Sequence, residues 1–163
     1  MIRSIYPNSN IVGSISLNIN RKKILAEYSE FKKYFDGFVL PFIFSRNLNE
    51  IKNLPNDFYY ILLINSYCNI SCTGKQHWDF DYKTNKPIAC PGILNNSLNS
   101  ISWDKSARIR PMDLAFFDPY ITIYKLQDRG WPTAEIIKDY ILYTTDYDIY
   151  PNIIYTEELY NGK

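Results

Sequence analysis

Cys68, Cys72, His77 and Cys90 are the residues whose types and spacing point most directly to chemistry. They gather all three cysteines and the one histidine of the chain into a single segment. The four-residue step from Cys68 to Cys72 brings both thiols within reach of one metal if the backbone curls into a turn. Cys90 can return from the far side of the segment, and His77 can be the fourth ligand. Soft thiolates select zinc, cuprous copper or iron–sulfur clusters, and Cys₃His is a known tetrahedral zinc set. A nucleophilic Cys68 with His77 as its base is a competing reading, although no third group is identifiable to orient the imidazole. The plain alternative is three free or partly buried cysteines.

A second group of polar residues falls where strands pass into helices. Arg110 and Asp113 flank Pro111 in this way, and Lys125 and Arg129 close the next strand. An arginine there suits bidentate capture of a carboxylate or phosphate, and an Arg–Asp pair that only fixes the turn is an equal reading. Asn65 and Ser14 complete the polar lining. Taken together, Arg110, Asp113, Lys125 and Arg129 are the candidate catalytic residues, with Asn65 as a binding residue at the same mouth. Asp79 and Asp81 form an Asp-x-Asp like the divalent-metal motif of many glycosyltransferases, a pattern short enough to arise by chance. Trp78, Trp103 and Trp131 fit packing better than base stacking.

These residues need a frame, and the hydrophobic pattern supplies one. Runs at Ile11–Leu17, Phe38–Phe44, Phe58–Ile64, Ala107–Arg110 and Ile121–Leu126 read as strands. Asn20 is placed to cap a helix over Arg21–Phe35, where Ile24, Tyr28, Phe31 and Phe35 recur at helical spacing, and Gly37 is placed to end it. Shorter helices are expected over Asn47–Leu54 and Pro111–Phe117. A final helix is expected over Pro132–Thr144, with Ile136, Ile137, Tyr140 and Ile141 on one face. The polar stretch 66–106 reads as a long cysteine-containing insertion loop, and loops of that length usually carry function. Strand–helix repetition at this spacing predicts an α/β fold with parallel strands and right-handed crossovers. Five such units fall short of an eight-unit barrel, which takes about 200 residues or more. The expectation is therefore one α/β domain over residues 1–163, either an incomplete barrel or an open sheet.

The bulk numbers narrow the classes. At 163 residues the chain fits about one domain. Its 18 basic and 17 acidic residues nearly cancel, which argues against nucleic acid as the main partner. No apolar run approaches the roughly 20 residues that span a bilayer, and the first residues lack the apolar core of a signal peptide. A cytoplasmic protein without a membrane partner is expected, with reduced cysteines available to a metal.

Three segments resemble one family. Ile64-Asn65-Ser66-Tyr67-Cys68 with Cys72 and His77 is similar to the vN-x-x-C-x-x-x-C-x(4)-H segment of the collagenase-like peptidases, family U-thirty-two. Arg108-Ile109-Arg110-Pro111-Met112-Asp113-Leu114 is similar to that family's x-I-R-P-E-D-L. Tyr124-Lys125-Leu126-Gln127-Asp128-Arg129 with Pro132-Thr133 resembles its FKL-x-GR…PT. The three come in the family's order, and the resemblance covers roughly Ile11 to Tyr147. The resemblance implies a TIM-barrel-like fold and, in several relatives, an iron–sulfur cluster on four cysteines. Some relatives support peptide degradation, and others assist hydroxylation of RNA or ubiquinone precursors. This chain has three cysteines, one short of a four-thiolate cluster, so zinc is the alternative. The chain also looks like the C-terminal part of a longer protein.

The leading expectation is a member or fragment of this family that binds a small anionic or peptide substrate beside a Cys-ligated centre. A non-catalytic, metal-stabilised subunit that needs a partner chain is the second. A glycosyltransferase-like enzyme using Asp79 and Asp81 is the third. Because five strands leave sheet edges unclosed, self-association or a partner chain completing the barrel is expected.

Overall fold

The computed structural model describes residues 2–17, 19–69, 80–81, 86–87, 106–126 and 133–144. Cys72, His77, Asp79, Cys90, Arg129 and the three tryptophans lie outside these residues.

Parallel strands dominate the centre. β1 (Val12–Gly13), β2 (Gly37–Leu40), β3 (Tyr59–Leu63) and β8 (Ile123–Lys125) form one sheet in the order β1-β2-β3-β8. Every pairing in it is parallel, with Val12 opposite Gly37, Phe38 opposite Tyr60, and Leu62 opposite Tyr124. The protein is α/β, as the alternating runs predict. All four residues of β2 are buried, which fits the near-continuous apolar strand of a sheet covered on both faces.

Local sequence accounts for several of the elements that follow the short helix α1 (Ile2–Ile5). Asn20 caps α2 (Arg21–Ala26), its Oδ1 accepting from the Lys23 amide at 2.8 Å. The helix expected as one piece to Phe35 instead breaks at Glu27 (φ −112°, ψ 19°) and resumes as α3 (Tyr28–Tyr34). The break leaves Ile24 and Phe31 both facing the core and sets the Tyr28 ring edge-on to Phe58, with centroids 5.7 Å apart. Gly37 does not end the helix. It opens β2, where a Cβ would run into the Tyr59 carbonyl oxygen of β3, so the close approach of the two strands requires glycine. The first strand is shorter than expected, because after Gly13 the chain tightens into a 3-10 turn at Ile15–Leu17, closed by Leu17 N to Ser14 O at 3.0 Å. β2 likewise stops before Pro41, and Phe42–Arg46 is a 3-10 helix rather than strand. Asn47 then caps α4 (Leu48–Lys52), accepting from the Glu50 amide.

The core sits between these elements. Phe38, Leu40 and Leu62 are fully buried, together with Ile24, Leu48, Ile51 and Phe117. Phe38 contacts three other rings, those of Phe31, Phe35 and Phe58, at centroid distances of 5.0 to 5.4 Å. Burial of these rings is the main favourable term here.

One strand differs from expectation. The segment at Ala107–Arg110 was expected in the parallel sheet. It forms β7 (Ser106–Arg108), which pairs antiparallel with β4 (Asn65–Asn69), placing Asn65 opposite Arg108 and Ser66 opposite Ala107. The physical reason is that the position beside β3 belongs to β8, while the chain beyond β3 runs on through Ile64 into a new strand with its own edge to pair. β4 therefore carries regular structure into the stretch read as a loop, as do β5 (Phe80–Asp81) and β6 (Lys86–Pro87), which pair antiparallel with Asp81 opposite Lys86. Among the described residues no helix is long and apolar enough to cross a membrane.

Candidate functional site

Ligands in parallel α/β sheets bind beyond the carboxyl ends of the strands. Here that end is built by the 3-10 helix after β2, by β4 after β3, by β7 with the turn that follows it, and by α5 (Thr133–Thr144). These pieces bury an unusual set of polar side chains: Ser45, Arg46, Asn65, Ser66, Ser106, Arg108, Arg110, Asp113 and Asp139.

Each charge in the set has a defined use. The Arg46 Nε donates to the Ser106 carbonyl at 3.1 Å, and its Nη2 donates to the Arg108 carbonyl at 2.9 Å. The Asp139 carboxylate of α5 spans the β4–β7 ribbon. Its Oδ2 accepts from Asn65 Nδ2 at 2.8 Å, and its Oδ1 accepts from Arg108 Nη2 at 3.0 Å. The Tyr143 hydroxyl lies 2.9 Å from the Ile64 carbonyl oxygen and 2.7 Å from that of Ile109, sharing its one proton between them. Ile109 N also donates to Ile64 O, and Ile64 N to Lys125 O. The two sheets and α5 thus meet at Ile64.

Arg110 leads into the 3-10 helix Pro111–Phe116, whose first turn holds Asp113. The guanidinium grips that carboxylate with both arms, 2.6 Å from Nε to Oδ2 and 2.9 Å from Nη2 to Oδ1. Such fork-to-fork geometry is the strong form of the pair, and both side chains are about 95% buried. Proline at the start of the turn gives up no needed amide donor, so Arg110 and Asp113 are held at a fixed spacing of three residues.

The candidate residues therefore separate. Asn65, Arg110 and Asp113 lie at the carboxyl end of the sheet, all buried and hydrogen-bonded within the chain. Lys125 ends β8 and is exposed. Cys68 belongs to β4, three residues past Asn65. Asp81 belongs to β5, well separated in sequence from the polar layer. No group of three His, Cys, Asp or Glu side chains poised for a metal occurs among the described residues, and Cys72, His77, Cys90 and Arg129 are outside them.

Sequence reasoning missed Arg46, Arg108, Asp139 and Tyr143. For α5 it also chose the wrong face: Asp139 and Leu142 are buried, whereas Ile137, Tyr140 and Ile141 are each more than half exposed. The signal was present in the three-residue steps from Ile136 to Asp139 to Leu142. A carboxylate in a core-facing stripe is a sign of a buried partner. No family model, curated protein or solved structure matches the chain.

Proposed function

We propose that this chain is a partial-barrel member of the collagenase-like peptidase family, with its site at the carboxyl end of the parallel sheet. There it binds a small anionic or peptide substrate beside a centre held by Cys68, Cys72, Cys90 and His77. The observation that carries this reading is the path of the chain through Ile64. β3 passes directly into β4, so Cys68 follows closely on the carboxyl end of a central parallel strand. Strand order supports the barrel part. The order β1-β2-β3-β8 follows the chain without reversal, as in an arc of a (β/α) barrel, whereas doubly wound sheets reverse at a switch point.

Donor chemistry bears on both candidate centres, an iron–sulfur cluster and zinc. Three thiolates and an imidazole complete a tetrahedral zinc site, while a four-thiolate cluster lacks one ligand from this chain. With all four positions filled by the protein, such a zinc would brace the cysteine segment, since a Lewis-acid role toward a substrate oxygen needs an open coordination position. Asn65 and Arg108 fix the strand that leads to it, and the exposed Lys125 is available to an anion.

Metal analysis of protein purified without oxygen tests this directly. About one zinc per chain, or a coloured iron–sulfur protein, is expected, and Cys68→Ser should lose it. Metal-free protein from both anaerobic and zinc-supplemented preparations would remove the centre from the proposal.

A second reading has its own support. Arg110 commits both arms of its guanidinium to Asp113, which favours a non-catalytic, metal-stabilised subunit over a substrate-gripping arginine. In that reading a partner chain or a second copy adds to the β1 or β8 edge of the sheet. Association seen by light scattering at rising concentration is expected under either reading, because both leave a sheet edge unclosed. Turnover of a peptide or small anionic substrate by the purified protein separates the enzyme from the subunit.

A further inference from the structure

We infer that β4, β7 and α5 form one cooperative unit that opens separately from the parallel sheet, with the Asp139 carboxylate as its catch. The strands of this unit pair with each other rather than with the main sheet. α5 is fastened across both of them at two levels. Asp139 bridges Asn65 of β4 and Arg108 of β7, and one turn later Tyr143 reaches the carbonyls of Ile64 and Ile109 at the roots of both strands. Neither strand can leave without breaking bonds to the helix, and opening of the unit must also release the two bonds that Arg46 donates to the Ser106 and Arg108 carbonyls of β7.

The unit is also held differently from its surroundings. The parallel sheet is anchored by fully buried apolar side chains such as Phe38, Leu40 and Leu62. α5 buries Leu142 but leaves Ile137, Tyr140 and Ile141 exposed at 52, 61 and 52%. Its attachment therefore leans on hydrogen bonds and one ion pair, and elements with little buried apolar area open at lower free energy. Because β4 includes Cys68, opening would loosen the root of the cysteine segment together with α5. This inference stands whether or not the cysteines take a metal.

Hydrogen exchange followed by mass spectrometry on the whole chain tests it. In the unaltered protein, peptides from β4, β7 and α5 should share one level of protection, lower than that of β2 and β3 by about tenfold or more. Asp139→Asn should raise exchange in all three segments together by on the order of tenfold and leave β2 and β3 unchanged. Tyr143→Phe, which removes only a hydroxyl, should move the same three segments by less. Equal protection of α5 and β3 in the unaltered protein would overturn the inference. So would acceleration of α5 alone, or of all segments equally, in either variant. If Asp139→Asn fails to fold, the unaltered profile and Tyr143→Phe still decide the matter.

Discussion

Arg110 and Asp113, three residues apart, form a two-armed ion pair of 2.6 and 2.9 Å with both side chains almost wholly buried. Removing one partner strands the other charge in the interior, which typically costs about 3–5 kcal/mol. Asp113→Ala and Arg110→Ala should each lower stability by about that amount. The double replacement by apolar residues of similar size should lose much less. Denaturant midpoints at constant slope measure this, and additive losses would show that the two side chains are not coupled.

Gly37 stands where β2 runs closest to β3. Its substitution by alanine places a methyl group against the backbone oxygen of Tyr59, which no rotamer change can relieve. Gly37→Ala should therefore destabilise by on the order of 1–3 kcal/mol, even though the residue has ordinary strand conformation. A neutral result in thermal unfolding would mean that the two strands separate more easily than their register implies.

Asn20 offers a smaller and purely local effect. Asn20→Ala removes the acceptor for the Lys23 amide and should cost about 1 kcal/mol, whereas Asn20→Asp or Asn20→Ser should cost little. Equal loss from all three would assign the role to something other than the cap.

Ser45 is fully buried beside Arg46, and its hydroxyl has no hydrogen-bond partner among the described residues. Replacing an unsatisfied buried hydroxyl by hydrogen is favourable, so Ser45→Ala should raise stability by about 1 kcal/mol. A fall in the unfolding midpoint would show that the hydroxyl is satisfied in solution.

Alkaline behaviour follows from two tyrosines. Tyr60 is raised far above its ordinary value of 10.0, first by burial and then by Asp57. Tyr124 is raised likewise by burial and by its hydrogen bond to Asp118. A raised folded value means that the native state holds these protons more tightly than the unfolded chain does. Their contribution is complete below pH about 10 and declines as pH rises above it. Stability should fall with pH in that range. Phenolate absorbance should show these two rings titrating only as the protein unfolds. Tyr60→Phe should flatten the decline, and an unchanged slope would count against it.

Legibility varied with the kind of signal. β2 and β3 were readable because aromatic and β-branched runs name buried strands. β8 was readable from the apolar run around it, although its Ile123 and Lys125 are exposed, and the cap at Asn20 was readable because capping is local. The β4–β7 ribbon was not. Asn65, Ser66, Cys68 and Asn69 are polar, and only pairing with residues about forty positions away makes them a strand. The site divides the same way. Asn65, Arg110 and Asp113 stood out by chemistry, but the partner of Asn65 is 74 residues distant and those of Arg46 are 60 and 62. Such pairings leave no local trace, apart from the one acidic residue in the inner stripe of α5.

The ribbon has a consequence for how this chain can change length. Pairing of Asn65 with Arg108 ties together the two ends of everything between them, so the excursion is closed at its base independently of its contents. The entropy of closing a stretch of chain grows only as the logarithm of its length, about 0.6 kcal/mol for each doubling. Residues can therefore be gained or lost between Asn69 and Ser106 at little thermodynamic cost to the β3–β8 register. The same change made between β2 and β3, where a short helix bridges neighbouring strands, would have to be absorbed by the core itself.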